Sequence, residues 1–377
     1  MRTDNTTDKT GLARLNPPFR ADHVGSLLRP KELTHGFREF SAGKISAEAF
    51  KTIQDRAIRD AIKLQEEIGL EAVTDGEFRR ASYWSHFVEA VDGLSVGPAV
   101  FTFRDAHGHK QDFLSPQVTG KLRRERSISG GEFDFVKSVT KGTPKVTMPS
   151  PPSMHFWGNR DTFRATYDDP EEYYADLATV YREEIADLAE RGARYIQMDD
   201  VPLAMLCDEN IRAAVKGFGE DPDRELGRFV RLFNECLAGR PADMVAAIHI
   251  CRGNFKAHWL SEGGYDTVAE QLFNEADVDA FFLEYDTPRA GDFSPLKHLP
   301  KGKIVVLGLV STKTPHLESP DSLVRRIEEA SHYVPLDQLA ISPQCGFAST
   351  VAGNPVTVDH QKAKLRLVVE VARRVWG

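Results

Sequence analysis

Cysteine is scarce in this chain. There are four, Cys207, Cys236, Cys251 and Cys345, in 377 residues. So few in so long a chain exclude the disulfide framework that staples small secreted domains. The thiols are then to be weighed as buried hydrophobes, catalytic groups or metal ligands. Cys207 and Cys236 fall in helix-like sequence and read as inert buried thiols. Long hydrophobic runs are missing as well, and no window approaches the roughly 18 unbroken apolar residues of a membrane helix. The first fifteen residues, MRTDNTTDKTGLARL, hold no apolar core and do not read as an export signal. They read as a loose arm over residues 1–15, and a cytoplasmic location is the expectation. Positive charge is not in excess: 48 Lys and Arg against 56 Asp and Glu leave a net charge of −8. That balance lacks the basic face of a nucleic-acid binder. No Pro/Ser-rich linker, internal repeat or low-complexity segment divides the chain, so one domain over residues 16–377 is expected.

What is present is an alternation of short apolar runs and longer amphipathic stretches. The runs that read as buried strands are Phe19–Gly25, Glu71–Asp75, Lys145–Pro149, Tyr195–Asp199, Val245–Cys251, Val278–Glu284, Ile304–Val310 and Leu339–Pro343. Helical spacing covers Ala47–Ile68, Pro170–Arg191, Arg224–Leu237, Tyr265–Asn274, Ser322–Ser331 and Val358–Trp376. Asp169 and Gly192 suit the start and stop of the second of these, and Asp223 could cap the third. Eight strands with helices between them predict an α/β chain folded as a (β/α)8 TIM barrel, with a doubly wound open sheet as the competing arrangement. The pattern breaks between Val91 and Gly142, where FTFRD, Gly130-Gly131 and FDFV read as turns and short strands. A β-rich insertion over about residues 91–142, after the second strand, is the expectation.

Barrel enzymes carry their chemistry at the C-terminal ends of the strands. Reading those ends gives Ser26, Asp75 and Glu77, Asp199 and Asp200, His249 and Cys251, Glu284, Lys313 and Cys345. On a strand, positions i and i+2 share a side, so His249 and Cys251 can face one ion together. Glu284 and Cys345 end neighbouring strands and add a carboxylate and a second thiol, a donor set suited to tetrahedral Zn²⁺. Alone, His-x-Cys is also what a buried thiol beside a hydrogen-bonded histidine looks like. If metal is held there, two thiolates and a carboxylate make the centre net negative, a poor activator of water but a fitting place to hold a further thiolate. A free thiol is mostly protonated at neutral pH, and coordination removes a penalty of about 2 kcal/mol.

These segments resemble the cobalamin-independent methionine synthase family. AIHICRGNF is similar to its first zinc-ligand segment, ADVDAFFLEYD carries Glu284 at the place of its zinc-binding glutamate, and ISPQCGF carries its last cysteine as Cys345. RADHVGSLLRP resembles the segment whose main chain and serine hold the amino acid substrate, which implies Val24 and Ser26. TDGEF and YIQMDDVPL place Glu77 and Asp199 on the residues that hold the substrate's ammonium group. KVTMPSPPSMHFW ends in Trp157, matching a tryptophan that lies against the folate donor. The resemblance runs from about Arg20 to the C-terminus and covers only the catalytic half of the long enzymes, so the chain is similar to a short, single-barrel branch. It departs where the long enzymes carry a proton-donating histidine: here the segment is T-K-T-P, with Lys313, and His316 lies three residues on.

The resemblance implies a zinc-dependent methyltransferase, similar to 5-methyltetrahydropteroyltriglutamate–homocysteine methyltransferase, that binds homocysteine through its sulfur and takes an activated methyl group to make methionine; the missing half and the lost histidine argue against methyl-folate triglutamate as donor. His249, Cys251, Glu284 and Cys345 are the implied metal ligands, Val24, Ser26, Glu77, Asp199 and Trp157 the implied substrate contacts, and Lys313 the candidate catalytic group. Plainer readings exist for several of them: a turn residue for Ser26, ion pairs with Arg79 or Arg80 for the carboxylates, rim packing for Trp157 and a surface lysine for Lys313. Rival functions are another zinc thiol–alkyl transfer, with coenzyme M and an epoxide or with a methylated corrinoid protein, a non-catalytic zinc-binding barrel, and a metal-free decarboxylase. Donor identity and oligomeric state, a homo-oligomer included, are left open by the sequence.

Overall fold

The computed structural model describes residues 17–377 with the exception of Ala106. The expected arm over residues 1–15 lies outside the described residues. In chain order the described strands are β1 (Ala72–Val73), β2 (Val91–Pro98), β3 (Phe103–Arg104), β4 (Lys110–Gln111), β5 (Leu114–Arg124) and β6 (Thr143–Pro144). They continue with β7 (Val146–Pro149), β8 (Tyr195–Asp200), β9 (Val245–Ile250), β10 (Ala280–Glu284), β11 (Ile304–Val310) and β12 (Leu339–Pro343). The last six form one parallel sheet in chain order, β7 through β12. Their side chains are almost all buried, as expected for parallel strands covered on both faces.

One face of that sheet gathers Tyr195, Val245, Ala247, Ala280, Phe282, Val306 and Ala340 with Phe19 and Ala72 into a small core of its own. The alternate positions, among them Ile196, Ile248, Phe281, Leu283, Val305 and Leu307, join the large core under the helices. At one end of the sheet β1 pairs in parallel with β6, which runs directly into β7. At the other end Ala21 makes a parallel bridge to Ile341 of β12. The expected strand Phe19–Gly25 is thus reduced to a bridge. The reason is local: the amide N–H groups of Phe19 and His23 donate to the Asp22 carboxylate rather than to a ladder.

Helices cross over between the strands where the periodicity places them. Ala47–Ile68 starts on Ser46, whose hydroxyl accepts from the Ala49 amide, and stops at Gly69 in the left-handed region. Pro170–Arg191 starts on Asp169 and stops at Gly192, and Val358–Trp376 has the expected bounds. The third helix begins two residues early, at Pro222, with Asp221 rather than Asp223 as its cap. The Tyr265–Asn274 stretch divides into a 3-10 turn, Tyr265–Thr267, and a short helix, Ala269–Glu275. Among the described residues no helix is long and apolar enough to cross a membrane.

Between β1 and β6 the chain forms two antiparallel pairs, β2 with β5 and β3 with β4. Gly130–Val139, read from sequence as turn and strand, is an α-helix. Its Phe133 and Val136 are buried three residues apart, a helical spacing that outweighs the alternating FDFV pattern.

Candidate metal and substrate site

His249 is the fifth residue of β9 and Cys251 follows its last, so both side chains emerge at the C-terminal end of the strand. Cys345 follows β12 by two residues. Ligand-type atoms of His249, Cys251 and Cys345 lie within 4.8 Å of one another, and all three residues are buried. The two sulfurs are 3.8 Å apart and form no disulfide. Neither ring nitrogen of His249 makes a hydrogen bond of normal geometry. Burial pulls its imidazole pKa down, but contact with Cys345 and the nearby Asp199 and Glu284 charges outweigh that and leave it raised. Two buried nitrogens without partners are costly unless something else meets them. An imidazole beside two thiols is a donor set for a thiophilic metal ion.

Glu284 ends β10 with no exposed surface. Its Oε2 accepts from the Arg252 amide at 2.8 Å. Its Oε1 has no hydrogen bond and lies 3.6 Å from Lys313 Nζ and 3.7 Å from Arg289 Nη2. Glu284 is therefore outside the 4.8 Å group, turned toward two cations at its edge. Lys313 is buried, and its ammonium has no hydrogen-bond partner of normal geometry. His316 is exposed, and its carbonyl accepts from Lys364.

A cavity of about 550 Å³ opens beside the cluster. Val24, Ser26, Glu77, Trp157, Asp199, His249, Cys251 and Cys345 all line it, whereas Glu284 and Lys313 are not among the described lining residues. Asp199 lies in register with His249 on the neighbouring strand, and its Oδ1 accepts from Gln197 at 2.6 Å. Burial, reinforced by the Glu77 and Cys345 charges, raises its carboxyl to a pKa of about 7. Asp200 is bound on both oxygens, by the Ser150 hydroxyl at 2.6 Å and the Leu203 amide at 2.7 Å. It supports the turn after β8.

Glu77 sits in a tight turn with φ 61°, where its amide donates to Asp75 Oδ1. Its Oε1 accepts from the Thr147 hydroxyl at 2.8 Å and lies 3.4 Å from Arg80, while its Oε2 has no partner. Burial raises its pKa against the pull of Arg80.

Ser26 is set by two glycines. Gly25 adopts φ 135° and passes so close to Thr147 that a Cβ would lie 2.6 Å from that side chain. A Cβ on Gly346 would lie 1.9 Å from Ser26 Oγ, so only glycine after Cys345 leaves room for the hydroxyl. The Val24 carbonyl accepts from Gln197, which links this turn to Asp199. Trp157 is buried, and its indole N–H donates to Met205 sulfur at 3.2 Å.

Sequence reading missed three parts of this site. Tyr83 lines the cavity with a buried hydroxyl that has no partner. Arg252 is fully buried and donates to the Gly263 carbonyl and the Tyr265 hydroxyl, which holds the end of β10 in place. Phe103 and Phe113 reach the cavity from the antiparallel segment. Arg252 stands beside Cys251 in CRGNF and could have been noticed there; the others depend on tertiary contacts alone.

Comparison with known proteins gives one consistent result. Residues 19–374 match the family model described as "Cobalamin-independent synthase, Catalytic domain". An uncharacterized protein of Bacillus subtilis, YxjH, is 40% identical over 380 residues, covering 100% of this chain and 99% of its own length. The methionine synthase of Pyrococcus abyssi is 27% identical over 86% of this chain and 85% of its own. Among solved structures, a Listeria monocytogenes protein assigned as a vitamin-B12-independent methionine synthase superposes with a TM-score of 0.74 at 34% identity, covering 96% of this chain and 98% of that one. A B12-independent methionine synthase from Shewanella, solved with selenomethionine, gives 0.71 at 20% identity over 94% and 97%, a likeness of fold.

Proposed function

The chain belongs to the family of cobalamin-independent synthase catalytic domains, and from that premise we propose that it is a zinc-dependent S-methyltransferase converting homocysteine to methionine. The observation that carries the reading is the convergence of three buried, metal-type donors on the wall of a cavity that also bears Glu77 and Asp199. The unpartnered nitrogens of His249 and the free sulfurs of Cys251 and Cys345 fit Zn²⁺, and the unbonded Oε1 of Glu284 suits a fourth ligand. When bound, zinc supplies a site at which a substrate thiol is held as a reactive thiolate.

The rest of the reading concerns the chain's own groups. The Glu77 and Asp199 carboxylates face the same cavity and are offered as partners for the amino acid's ammonium group. Ser26 and the Val24 main chain are the proposed hold on its carboxylate. Fixing ammonium, carboxylate and sulfur together orients the sulfur for in-line attack on a methyl carbon, the larger part of the acceleration such a site can offer. Trp157 forms part of the wall on which the donor lies. Lys313 is the proposed charge partner of Glu284, balancing a buried carboxylate rather than moving a proton.

We further read the strands as a closed (β/α)8 barrel of one domain, with residues 91–142 as an insertion over its mouth. The parallel sheet β7–β12, the β1–β6 pair beside it and the Ala21–Ile341 bridge at its far edge support that closure. The four free thiols suit a reducing compartment, which agrees with a cytoplasmic location. Coenzyme M is disfavoured as acceptor, because no lysine or arginine is among the described residues that line the cavity. Titration with homocysteine followed by zinc-edge X-ray absorption tests the reading: one sulfur should join the metal's shell, and an unchanged shell would sink it.

A further inference from the structure

We propose that the methyl donor accepted by this cavity is a compact methylsulfonium cation. The inference rests on homocysteine being the acceptor and adds the chemical class of its partner. Charge is the first ground. Glu77, Glu89, Asp112, Asp199 and Asp200 line the cavity; no lysine or arginine is among the described lining residues, although Arg80 lies 3.4 Å from Glu77. Glu77 and Asp199 are spoken for by the amino acid, and Asp200 is tied to Ser150 and Leu203. Glu89 and Asp112 are exposed and give the cavity a negative approach. A donor carrying carboxylates or a sulfonate would enter against that field with nothing to pair it.

The second ground is the wall. Phe255, Phe103, Phe113 and Trp157 all line the cavity and touch in sequence, with ring centroids 5.5, 4.8 and 5.9 Å apart. Onium cations have no N–H or O–H to satisfy and are attracted by the π-systems of such rings. Glu77, almost fully buried and assigned above to the amino acid's ammonium group, keeps one carboxylate oxygen without a hydrogen-bond partner, so the carboxylates left for the donor are the exposed Glu89 and Asp112. The nearby cation Lys313 faces Glu284 instead.

The chemistry closes without further groups. The acceptor thiolate gives its electron pair to the methyl carbon, and a new S–CH3 bond forms. The S⁺–CH3 bond of the donor breaks with its pair returning to the donor sulfur. An anion and a cation become two neutral thioethers, so the leaving group needs no proton and nothing is oxidised or reduced. That suits a wall on which His249, a proposed metal ligand, is the one histidine among the described lining residues.

The test uses the full, zinc-loaded chain. Tetramethylammonium, an unreactive onium, should give a saturable change in tryptophan fluorescence that trimethylsulfonium competes away and methanesulfonate does not. Homocysteine turnover with trimethylsulfonium, which carries no carboxylate, should exceed that with S-adenosylmethionine, 5-methyltetrahydrofolate or methylcobalamin at least about tenfold. Phe113→Leu should weaken onium binding about tenfold. Asp112→Lys, at an exposed position that leaves packing alone, should weaken it severalfold in a salt-dependent way. If homocysteine still adds a sulfur to the zinc shell but onium ions do not bind, or methyl-folate outruns the sulfonium, the donor inference is overturned while the acceptor reading stands. If homocysteine leaves the shell unchanged, both fall together.

Discussion

Two buried polar clusters sit at opposite ends of the parallel strands, and they differ in one respect. At the N-terminal end, Lys145 and Asp22 form an ion pair at 3.1 Å without exposed side-chain surface. Lys145 also donates to the His23 carbonyl, and Asp22 accepts from the Tyr195 hydroxyl and from two amides. Phe282 covers the ammonium with its ring at 4.1 Å. At the C-terminal end, His249 leaves two nitrogens unmet, Glu77 and Glu284 one oxygen each, and Lys313 its ammonium. Burial is equal at the two ends, so burial does not separate scaffold from site. Satisfaction does: Lys145, Asp22 and the Tyr195 hydroxyl complete one another, with His23 Nδ1 left over, whereas the second cluster leaves several donors and acceptors open to something that binds.

The strongest way to break this comparison is to remove a donor from the open cluster. Cys345→Ser replaces a thiolate with a hydroxyl that holds zinc poorly. We expect dialysed protein to keep less than a tenth of its zinc. Turnover should fall more than about a hundredfold, beyond what loss of an outer partner of a metal ligand costs. The urea midpoint should move little, because no completed network is broken. Metal retained at full stoichiometry with normal turnover would remove the basis of the functional reading.

The matched experiment at the closed end is Lys145→Met, which leaves the Asp22 carboxylate buried without its cation. Breaking a buried pair from one side costs about 3–5 kcal/mol. Urea denaturation should show that loss while the folded protein still binds zinc one to one. Because no hydrogen bond joins Cys345 to the Lys145–Asp22 pair, the double variant should be additive. Zinc lost together with stability in Lys145→Met would show that the ends are not independent.

These two clusters were not equally legible in the sequence. The open end could be read because its residues follow apolar runs: His249 and Cys251 share a strand side, and Cys345 ends the last strand. The closed end was nearly silent, since Lys145 and Tyr195 stand at strand starts where a charge looks like a surface residue. Only the pairing of distant strands makes them partners. Gly130–Val139 was misread for a related reason. Its glycines and alternating phenylalanines have a local meaning that packing against Pro170–Arg191 overrides. The aromatic wall from Phe255 through Phe103 and Phe113 to Trp157 joins four separate loops and strands, and no local pattern announces it.

A milder test acts on charge within the open cluster. Burial holds Asp199 near pKa 7, so below that pH its carboxyl is protonated and cannot pair an ammonium group. The kcat/KM for homocysteine should fall about tenfold per pH unit below 7. In Asp199→Asn that limb should vanish, with KM raised about 10- to 100-fold over the parent's above pH 7, the cost of a charge-assisted hydrogen bond. Stability carries the opposite sign. A carboxyl whose folded pKa is raised contributes stability that is full below its unfolded pKa, about 3.9, and is lost as pH rises through 7. Above pH 7 the asparagine variant should therefore resist urea better than the parent while working worse. An acid limb that survives in Asp199→Asn would assign it to another group.

The smallest expected effect separates packing from recognition at Ser26. Gly346→Ala puts a methyl group 1.9 Å from the Ser26 hydroxyl, and Gly346 is under no left-handed constraint, so the cost is steric alone. Overpacking of this kind costs about 1–3 kcal/mol, and the displaced hydroxyl should raise KM for homocysteine about tenfold. Ser26→Ala should raise KM equally with little loss of stability. Combining the two removes the clashing oxygen, so stability should largely return while KM stays high. Recovery of both in the double variant would make Ser26 a packing residue, and this corner of the cavity would then belong with the closed cluster rather than the open one.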